Sequence, residues 1–172
     1  MLCYRHRFSK DVDIFLPDPQ YPGNLSPRLS TRAEALTSNY VEQAGFLKLF
    51  FPEGEIDFVA SAPLTMQPTT RQVLLEREGA VETPTEIVAK KVWHRGDQFT
   101  ARDIFDLATV TEREPQALRE IKPVLRDRRT AVLQRIASQE PALRQAFASL
   151  EVLDYRRSFD ECVALVKKAM DE

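Results

Sequence analysis

Cysteine and histidine are scarce in this sequence, with two of each among 172 residues. Cys3 and Cys162 are too few and too isolated to predict a disulfide scaffold or a zinc site, and such usage is typical of the reducing cytoplasm. His6 and His94 show no metal-ligand spacing either. These scarcities exclude the small disulfide-rich and zinc-stabilised classes of protein.

Long apolar runs and an excess of one charge are also missing. No stretch approaches the roughly 18 residues of a membrane span, and the N-terminal residues lack the apolar segment of a signal peptide. The 24 basic and 26 acidic residues give a net charge of -2, which does not favour an extensive nucleic-acid surface. Short basic groups such as residues 5–7 are predicted to be solvated faces. We therefore expect a cytoplasmic protein with no membrane contact.

The residues that are present predict an α+β protein. With 43% hydrophobic and 29% charged residues, the chain has an ordinary globular composition and is long enough for a sizeable core. Strand patterns dominate the first half and helix patterns the second, which favours a mixed sheet followed by a helical half. We predict a core over residues 1–80 and a helical part, residues 81–172, packed on it.

Local signals predict the individual elements. Strands are expected where β-branched and aromatic residues cluster, at residues 10–16, "FLKLFF", "EIDFVA" and "RQVLLERE". A capping box of Thr31 and Glu34 predicts a helix that continues to about Gln43. Three further helix starts are predicted at residues that can cap a helix, namely Thr83, Thr100 and Ser158.

Two aspartates flank Val12 in the first predicted strand. Side chains alternate along a strand, so Asp11 and Asp13 point to one face about 6–7 Å apart, while Val12 and Ile14 point to the other. Carboxylates in an apolar run resist desolvation and repel each other unless a cation lies between them. The D-x-D spacing also arises by chance, but this apolar setting makes it a candidate divalent-cation site.

Asp57 supplies a third carboxylate, on the predicted strand "EIDFVA". Three aspartates on neighbouring strands could hold two Mg²⁺ ions, which are hard cations that prefer oxygen ligands. Two such ions about 3.5–4 Å apart serve in-line phosphoryl chemistry. The alternative for Asp57 is a charge kept at a hairpin edge to prevent aggregation.

Three blocks of the sequence carry a resemblance to a known family. "HRFSKDVDIF", "EGEIDFVA" and "ETPTEIVAKKVWHRGDQFTARDIFDLA" occur in this order, and the match runs from about residue 2 to 110. Together they resemble the nucleotidyltransferase family of the AbiEii toxins, from bacterial abortive-infection and toxin–antitoxin systems. The resemblance implies a DNA polymerase β-like nucleotidyltransferase fold, with Mg²⁺ as cofactor and a nucleoside triphosphate (NTP) as substrate. It also implies an antitoxin partner and, as in some members, tRNA as acceptor, although no residue here selects an RNA acceptor.

For the strand-rich half, the resemblance implies the roles of four residues. Asp11 and Asp13 match the metal-binding pair, and Ser9 matches the serine just before it. Asp57 falls where the third strand carboxylate of the superfamily would lie. The resemblance therefore makes the three aspartates metal ligands and places Ser9 at the nucleotide.

For the helical half, the resemblance implies a lysine and an acidic motif. Lys90, or Lys91 in the adjacent register, matches a lysine that would neutralise triphosphate charge. Asp106, and less closely Asp103, match a carboxylate that could orient the attacking group or act as a base. From the residues alone, the two lysines could equally be a solvated helix face, and the two aspartates a local ion-pair cluster with Arg102.

One family feature has no counterpart after Met1: the glycine-rich segment whose backbone N–H groups would receive the triphosphate. We therefore expect an N-terminally truncated member, impaired as a transferase. A catalytically silent module that binds a partner protein is the alternative, and a metal-dependent phosphohydrolase is a third interpretation. The truncation would leave one side of the sheet uncovered, and a second copy of the chain could cover it as a homodimer.

Overall fold

The computed structural model describes residues 4–171, which divide into two compact units. Residues 9–62 form the first, called the sheet unit below. Residues 4–8 together with residues 63–171 form the second, the helical unit. Cys3 lies outside the described residues. The predicted division into domains at residue 80 stays a prediction.

The sheet unit is built around one mixed sheet. Its elements are β1 (Val12–Leu16), α1 (Tyr21–Asn24), α2 (Thr31–Glu34), β2 (Tyr40–Gln43), β3 (Phe46–Phe51) and β4 (Gly54–Ala60). The strand order is β1-β4-β3-β2, with β1 parallel to β4 and the other neighbours antiparallel. The predicted strands near residue 12, at "FLKLFF" and at "EIDFVA" are thus confirmed, and the last two pair as an antiparallel hairpin.

The alternation along the strands separates an apolar face from a charged one. Leu47 and Leu49 are buried on one face, while Lys48 between them points to the opposite face. β1 lies at the edge of the sheet, and its Val12 is 53% exposed. The expected buried apolar setting of the first strand is therefore wrong, because an edge strand gains a neighbour on one side only.

The predicted helix over residues 31–43 is also wrong. α2 ends after one turn, and its N-cap is Ser30, whose hydroxyl accepts a 3.3 Å hydrogen bond from the N–H of Ala33. Tyr40–Gln43 instead forms β2, paired with β3. Gly45 adopts a positive φ of 71°, which permits the tight turn between the two strands. The ladder with β3 outweighs the weak helical propensity of this segment.

The helical unit begins with a two-stranded hairpin and continues through helices. Its elements are β5 (Thr69–Leu74), β6 (Arg77–Glu82), α3 (Pro84–Arg95), α4 (Ala101–Arg113), α5 (Lys122–Ser138), α6 (Glu140–Ala148) and α7 (Phe159–Asp171). The predicted caps are confirmed at the starts of α3, α4 and α7, where side chains accept from backbone N–H groups. Within residues 4–171, none of the helices is long and apolar enough to cross a membrane.

The stretch "RQVLLERE" forms a hairpin where the sequence predicted one strand. Leu75 and Glu76 form its turn with positive φ values of 48° and 65°. Such turns favour glycine, asparagine or aspartate, because other residues pay a steric cost in the left-handed region. Without one of these residues at the turn, the sequence carries no local sign of it.

Helix α4 lies in the core of the helical unit. Ile104, Phe105 and Leu107 are fully buried, and the ring of Phe105 makes edge contacts with those of Phe147 and Tyr155. α4 contacts both α3 and α7. Any charged side chain on this helix that points inward must therefore be neutralised by partners from the same unit.

Helix α3 anchors the segment that enters the helical unit. Glu86, which is fully buried, accepts hydrogen bonds from the backbone N–H groups of Leu64 and Thr65 and from the Thr65 hydroxyl. Lys90 lies 3.4 Å from the same carboxylate. Glu86 therefore ties the entry of this unit to α3, while Thr83 caps the helix.

Candidate active site

Two of the predicted metal ligands meet across β1 and β4. Asp13 and Asp57 are register partners in the parallel ladder, so their side chains lie on the same face of the sheet. Lys48 is the register partner of Asp57 on β3. We call these three residues the Asp57 row. This neighbouring pair lies across two strands, whereas the D-x-D motif predicted a pair of Asp11 and Asp13 along one strand, and Asp11 lies before β1 begins.

The electrostatics of the Asp57 row show a carboxylate that is incompletely compensated. Burial raises the pKa of Asp57, and the negative charges of Asp13 and Glu55 raise it further, against the lowering effect of Lys48. Asp57 Oδ2 lies 3.3 Å from Lys48 Nζ. Asp57 Oδ1 is buried and has no hydrogen-bond partner among residues 4–171. This oxygen is therefore an acceptor whose demand for a positive partner is not met by the described residues.

Lys48 is a residue of this row that no motif in the sequence singles out. Its ammonium contacts Asp57 and hydrogen-bonds to Glu55, and its side chain is only 25% exposed. The register of β3 against β4 determines which residue lies opposite Asp57. The strand patterns in the sequence do not fix that register.

Ser9 and Asp11 lie just before β1. Both are half-buried, whereas Asp13 is exposed. Gly54 lies close to this segment, since a Cβ at residue 54 would lie 2.4 Å from the carbonyl oxygen of Lys10. The backbone of Lys10 can run this close to β4 only because residue 54 has no side chain.

The residues of the row suit a hard divalent cation. Asp13 and Asp57 offer oxygen ligands, and the buried Asp57 Oδ1 has an unmet demand for a positive partner. Among residues 4–171, however, no three or more aspartate, glutamate, histidine or cysteine side chains already converge as a metal cage. The role of Asp11, Asp13 and Asp57 as metal ligands stays a prediction.

The helical unit contains a second charged group, around Asp106, which is 3% exposed. Arg7 donates two hydrogen bonds to the Asp106 carboxylate, from Nε at 2.7 Å and from Nη2 at 2.8 Å. His6 Nε2 lies 2.8 Å from Oδ1, and Lys91 hydrogen-bonds to Oδ2. We call these four residues the Asp106 cluster. Both carboxylate oxygens are occupied within it.

The cluster keeps Asp106 ionised. Burial alone would raise its pKa, but Lys91, His6 and Arg7 outweigh that effect and hold the pKa well below its usual value. His6 and Arg7 are buried, so the expectation that residues 5–7 form a solvated face is wrong for these two. Arg7 also forms a β-bridge with Val152, which brings the N-terminal residues into the helical unit.

The structure distinguishes Lys90 from Lys91. Lys90 hydrogen-bonds to Glu82 and lies beside Glu86, whereas Lys91 contacts Asp106 and lies 3.4 Å from Asp103. Asp103 is also the capping partner of Thr100 at the start of α4. Of the two lysines, Lys91 is the one that meets the predicted acidic motif. The nucleotide-binding roles of both stay predictions.

Comparisons with known proteins agree with this architecture. The family model for the nucleotidyl transferase AbiEii toxin, type IV toxin–antitoxin system, matches residues 1–171. The chain is also similar to a solved structure of a candidate nucleotidyltransferase from H. pylori, with 13% identity and a TM-score of 0.55. That similarity covers 99% of this chain and 80% of the other. No curated protein matches. The predicted α+β nucleotidyltransferase fold is confirmed.

Proposed function

The chain belongs to the family of nucleotidyl transferase AbiEii toxins of type IV toxin–antitoxin systems, and we propose that it moves a nucleoside monophosphate from an NTP to an acceptor with Mg²⁺. The observation that carries this proposal is the Asp57 row. Asp13 and Asp57 share one face of the sheet, and one buried Asp57 oxygen has no hydrogen-bond partner among the described residues. Such a pair is suited to a divalent cation at a triphosphate.

In this proposal the residues of the sheet unit bind the cation and the nucleotide. Asp13 and Asp57 would hold Mg²⁺ together with Asp11, which lies immediately before β1. Mg²⁺, when bound, neutralises triphosphate charge and polarises the attacked phosphoryl group. Ser9, two residues before Asp11, would donate its hydroxyl to a phosphate oxygen.

For the helical unit we propose that Lys91 neutralises phosphate charge and that Asp106 holds it in position. Both lysines are paired with carboxylates. Lys91, which contacts Asp106, has a side chain that is 15% exposed, whereas that of Lys90 is 6% exposed. Both oxygens of Asp106 are already hydrogen-bonded, so a carboxylate in this state positions cations better than it abstracts a proton.

The acceptor and the partners are the finer part of the proposal. The family's place in toxin–antitoxin systems favours an antitoxin protein as partner. tRNA is the acceptor to test first, with radiolabelled NTP and purified tRNA as the assay. A homodimer also stays a prediction, and a monomer by light scattering at all concentrations would contradict it.

The first experiment measures NTP binding by calorimetry, with and without Mg²⁺. The full chain is compared with the double substitution Asp11→Asn and Asp13→Asn. We expect Mg²⁺-dependent binding to the wild-type chain and its loss in the double variant, with an unchanged fold. A matched control, Asp97→Asn with Asp127→Asn, removes two charges from exposed positions and should keep binding.

Three other outcomes would contradict the proposal. If the wild-type chain binds no NTP, the result would favour the alternative function, a catalytically silent module that binds a partner protein. NTP binding that survives the Asp11 and Asp13 substitutions would place the nucleotide elsewhere. Breakdown of NTP without any acceptor would indicate a phosphohydrolase.

A further inference from the structure

Lys48 occupies a position in the Asp57 row that the transfer reaction does not by itself explain. It is the register partner of Asp57 on β3, as Asp13 is on β1. The row therefore places a carboxylate, a second carboxylate and an ammonium side by side on one face of the sheet. Asp57 lies in the middle, with a negative neighbour on one side and a positive neighbour on the other.

The two oxygens of Asp57 consequently differ. Oδ2 lies 3.3 Å from Lys48 Nζ. Oδ1 is buried and has no hydrogen-bond partner in the described part of the chain. The negative charge of Asp57 is thus only partly compensated. The Lys48 ammonium lies beside one oxygen, and the other oxygen has no partner among the described residues.

Glu55 fixes the position of the lysine. It lies two residues before Asp57 on β4, on the same face, and accepts a hydrogen bond from Lys48. Lys48 also lies 5.9 Å from the centre of the Phe50 ring. An ammonium held between two carboxylates and beside an aromatic face has limited freedom to move away.

The charges around the row limit how many metal ions it can hold. Asp11, Asp13, Glu55 and Asp57 are four carboxylates, and the Lys48 ammonium compensates one of them. One divalent cation would leave the site with one negative charge, whereas two would leave it with a net positive charge. A second divalent cation would lie close to the lysine ammonium, and the repulsion between them would be strong in this partly buried site.

We propose that Lys48 is a built-in cation that takes the place of a second metal ion, so that the site holds one divalent cation at Asp11, Asp13 and Asp57 Oδ1. This inference rests on the metal site of the proposed function and sharpens it. Lys48 is a positioning residue in this role, because it acts through Asp57.

The test counts bound metal directly, without an activity assay. Mn²⁺ is titrated into the full chain by calorimetry, and bound Mn²⁺ is counted by electron paramagnetic resonance. We expect one ion per wild-type chain. Lys48→Met keeps the aliphatic stem but removes the charge, so it should bind a second ion or bind the first roughly tenfold more tightly. Lys48→Arg keeps the charge and should still bind one ion.

Asp57→Asn, made in the wild-type and Lys48→Met backgrounds, identifies the site and should weaken Mn²⁺ binding in both. Two ions on the wild-type chain would overturn the role of Lys48 and leave the metal site intact. One ion with equal affinity in wild type and Lys48→Met would do the same. No Mn²⁺ on either protein would overturn the metal site itself, and with it this inference.

Discussion

Asp57 in the sheet unit and Asp106 in the helical unit are both carboxylates that the family resemblance assigns to a nucleotide site, yet their surroundings in the structure are opposite. Asp106 has every oxygen occupied by a cationic or imidazole partner, and its pKa is held well below the usual value. Asp57 has one buried oxygen without a hydrogen-bond partner among residues 4–171, and its pKa is raised by burial.

The difference separates a carboxylate whose oxygens all have internal partners from one that has an oxygen left for a ligand. A fully satisfied buried carboxylate holds together the elements that supply its partners, here the N-terminal residues, α3 and α4. A half-satisfied carboxylate costs stability until a cation completes it. Substitutions in the two places should therefore act on different quantities, namely the free energy of unfolding around Asp106 and metal affinity around Asp57.

The largest effect is expected for Asp106→Asn. It leaves Arg7 and Lys91 without their buried counter-charge, so the free energy of unfolding should fall by about 3–5 kcal/mol. Asp57→Asn, as the matched substitution, should change it by about 1 kcal/mol or less, since Lys48 keeps Glu55 as a partner. Denaturant unfolding of the two variants measures this. Equal losses would remove the distinction between the two carboxylates.

Lowering the pH should reduce the contribution of the Asp106 cluster to the free energy of unfolding. Because the folded pKa of Asp106 lies well below its unfolded value of 3.8, its stabilisation is present above about pH 4 and is lost as pH falls through the folded value. The free energy of unfolding, measured from pH 6 to pH 2, should decrease less steeply in Asp106→Asn than in wild type. Parallel curves for the two proteins would contradict this.

Glu86→Gln tests a second buried carboxylate of the helical unit. The loss of its charge weakens the hydrogen bonds from Leu64 and Thr65 and removes its ion pair with Lys90, which keeps its contact with Glu82. We expect a loss of about 2–3 kcal/mol in the free energy of unfolding. Metal binding should be unchanged. A loss of Mn²⁺ affinity in this variant would show that the two carboxylate systems are not independent.

A smaller loss of stability than for the two buried carboxylates of the helical unit is expected for Gly54→Ala in the sheet unit. The new Cβ would meet the Lys10 carbonyl oxygen at 2.4 Å and displace the segment before β1, at a cost of about 1–2 kcal/mol. Mn²⁺ affinity should fall as well, because Asp11 lies in that segment. Gly23→Ala is the control, since nothing lies within 4 Å of its Cβ. Unchanged metal affinity in Gly54→Ala would remove Asp11 from the site.

Local patterns predicted much of the fold because the signals were strong and short-range. Caps such as Thr100 determine helix starts by hydrogen bonds three residues away, and those predictions were confirmed. The predicted helix through Gln43 failed because the partner strand of β2 decides its conformation. The hairpin turn at Leu75 and Glu76 was missed because neither residue is a usual turn former.

The candidate site shows the same division. The alternation of strand residues put Asp13 on the face that could meet Asp57, and the structure brings the two together as register partners. Lys48, His6 and Arg7 could not be assigned in this way. Each becomes important only through a residue distant in sequence or on another strand, and no periodicity along the chain reveals such pairs.

By itself, the sequence determined the α+β class and most helix starts, because these follow from the spacing of neighbouring residues, and the resemblance of its motifs to a known family implied which carboxylates belong to the site. Tertiary structure alone decided which carboxylates are satisfied. The strand register places Lys48 against one side of Asp57, and the N-terminal residues bring Arg7 and His6 to Asp106. Whether a buried charge stabilises the fold or awaits a ligand depends on those partners, since charge compensation acts through space and not along the chain.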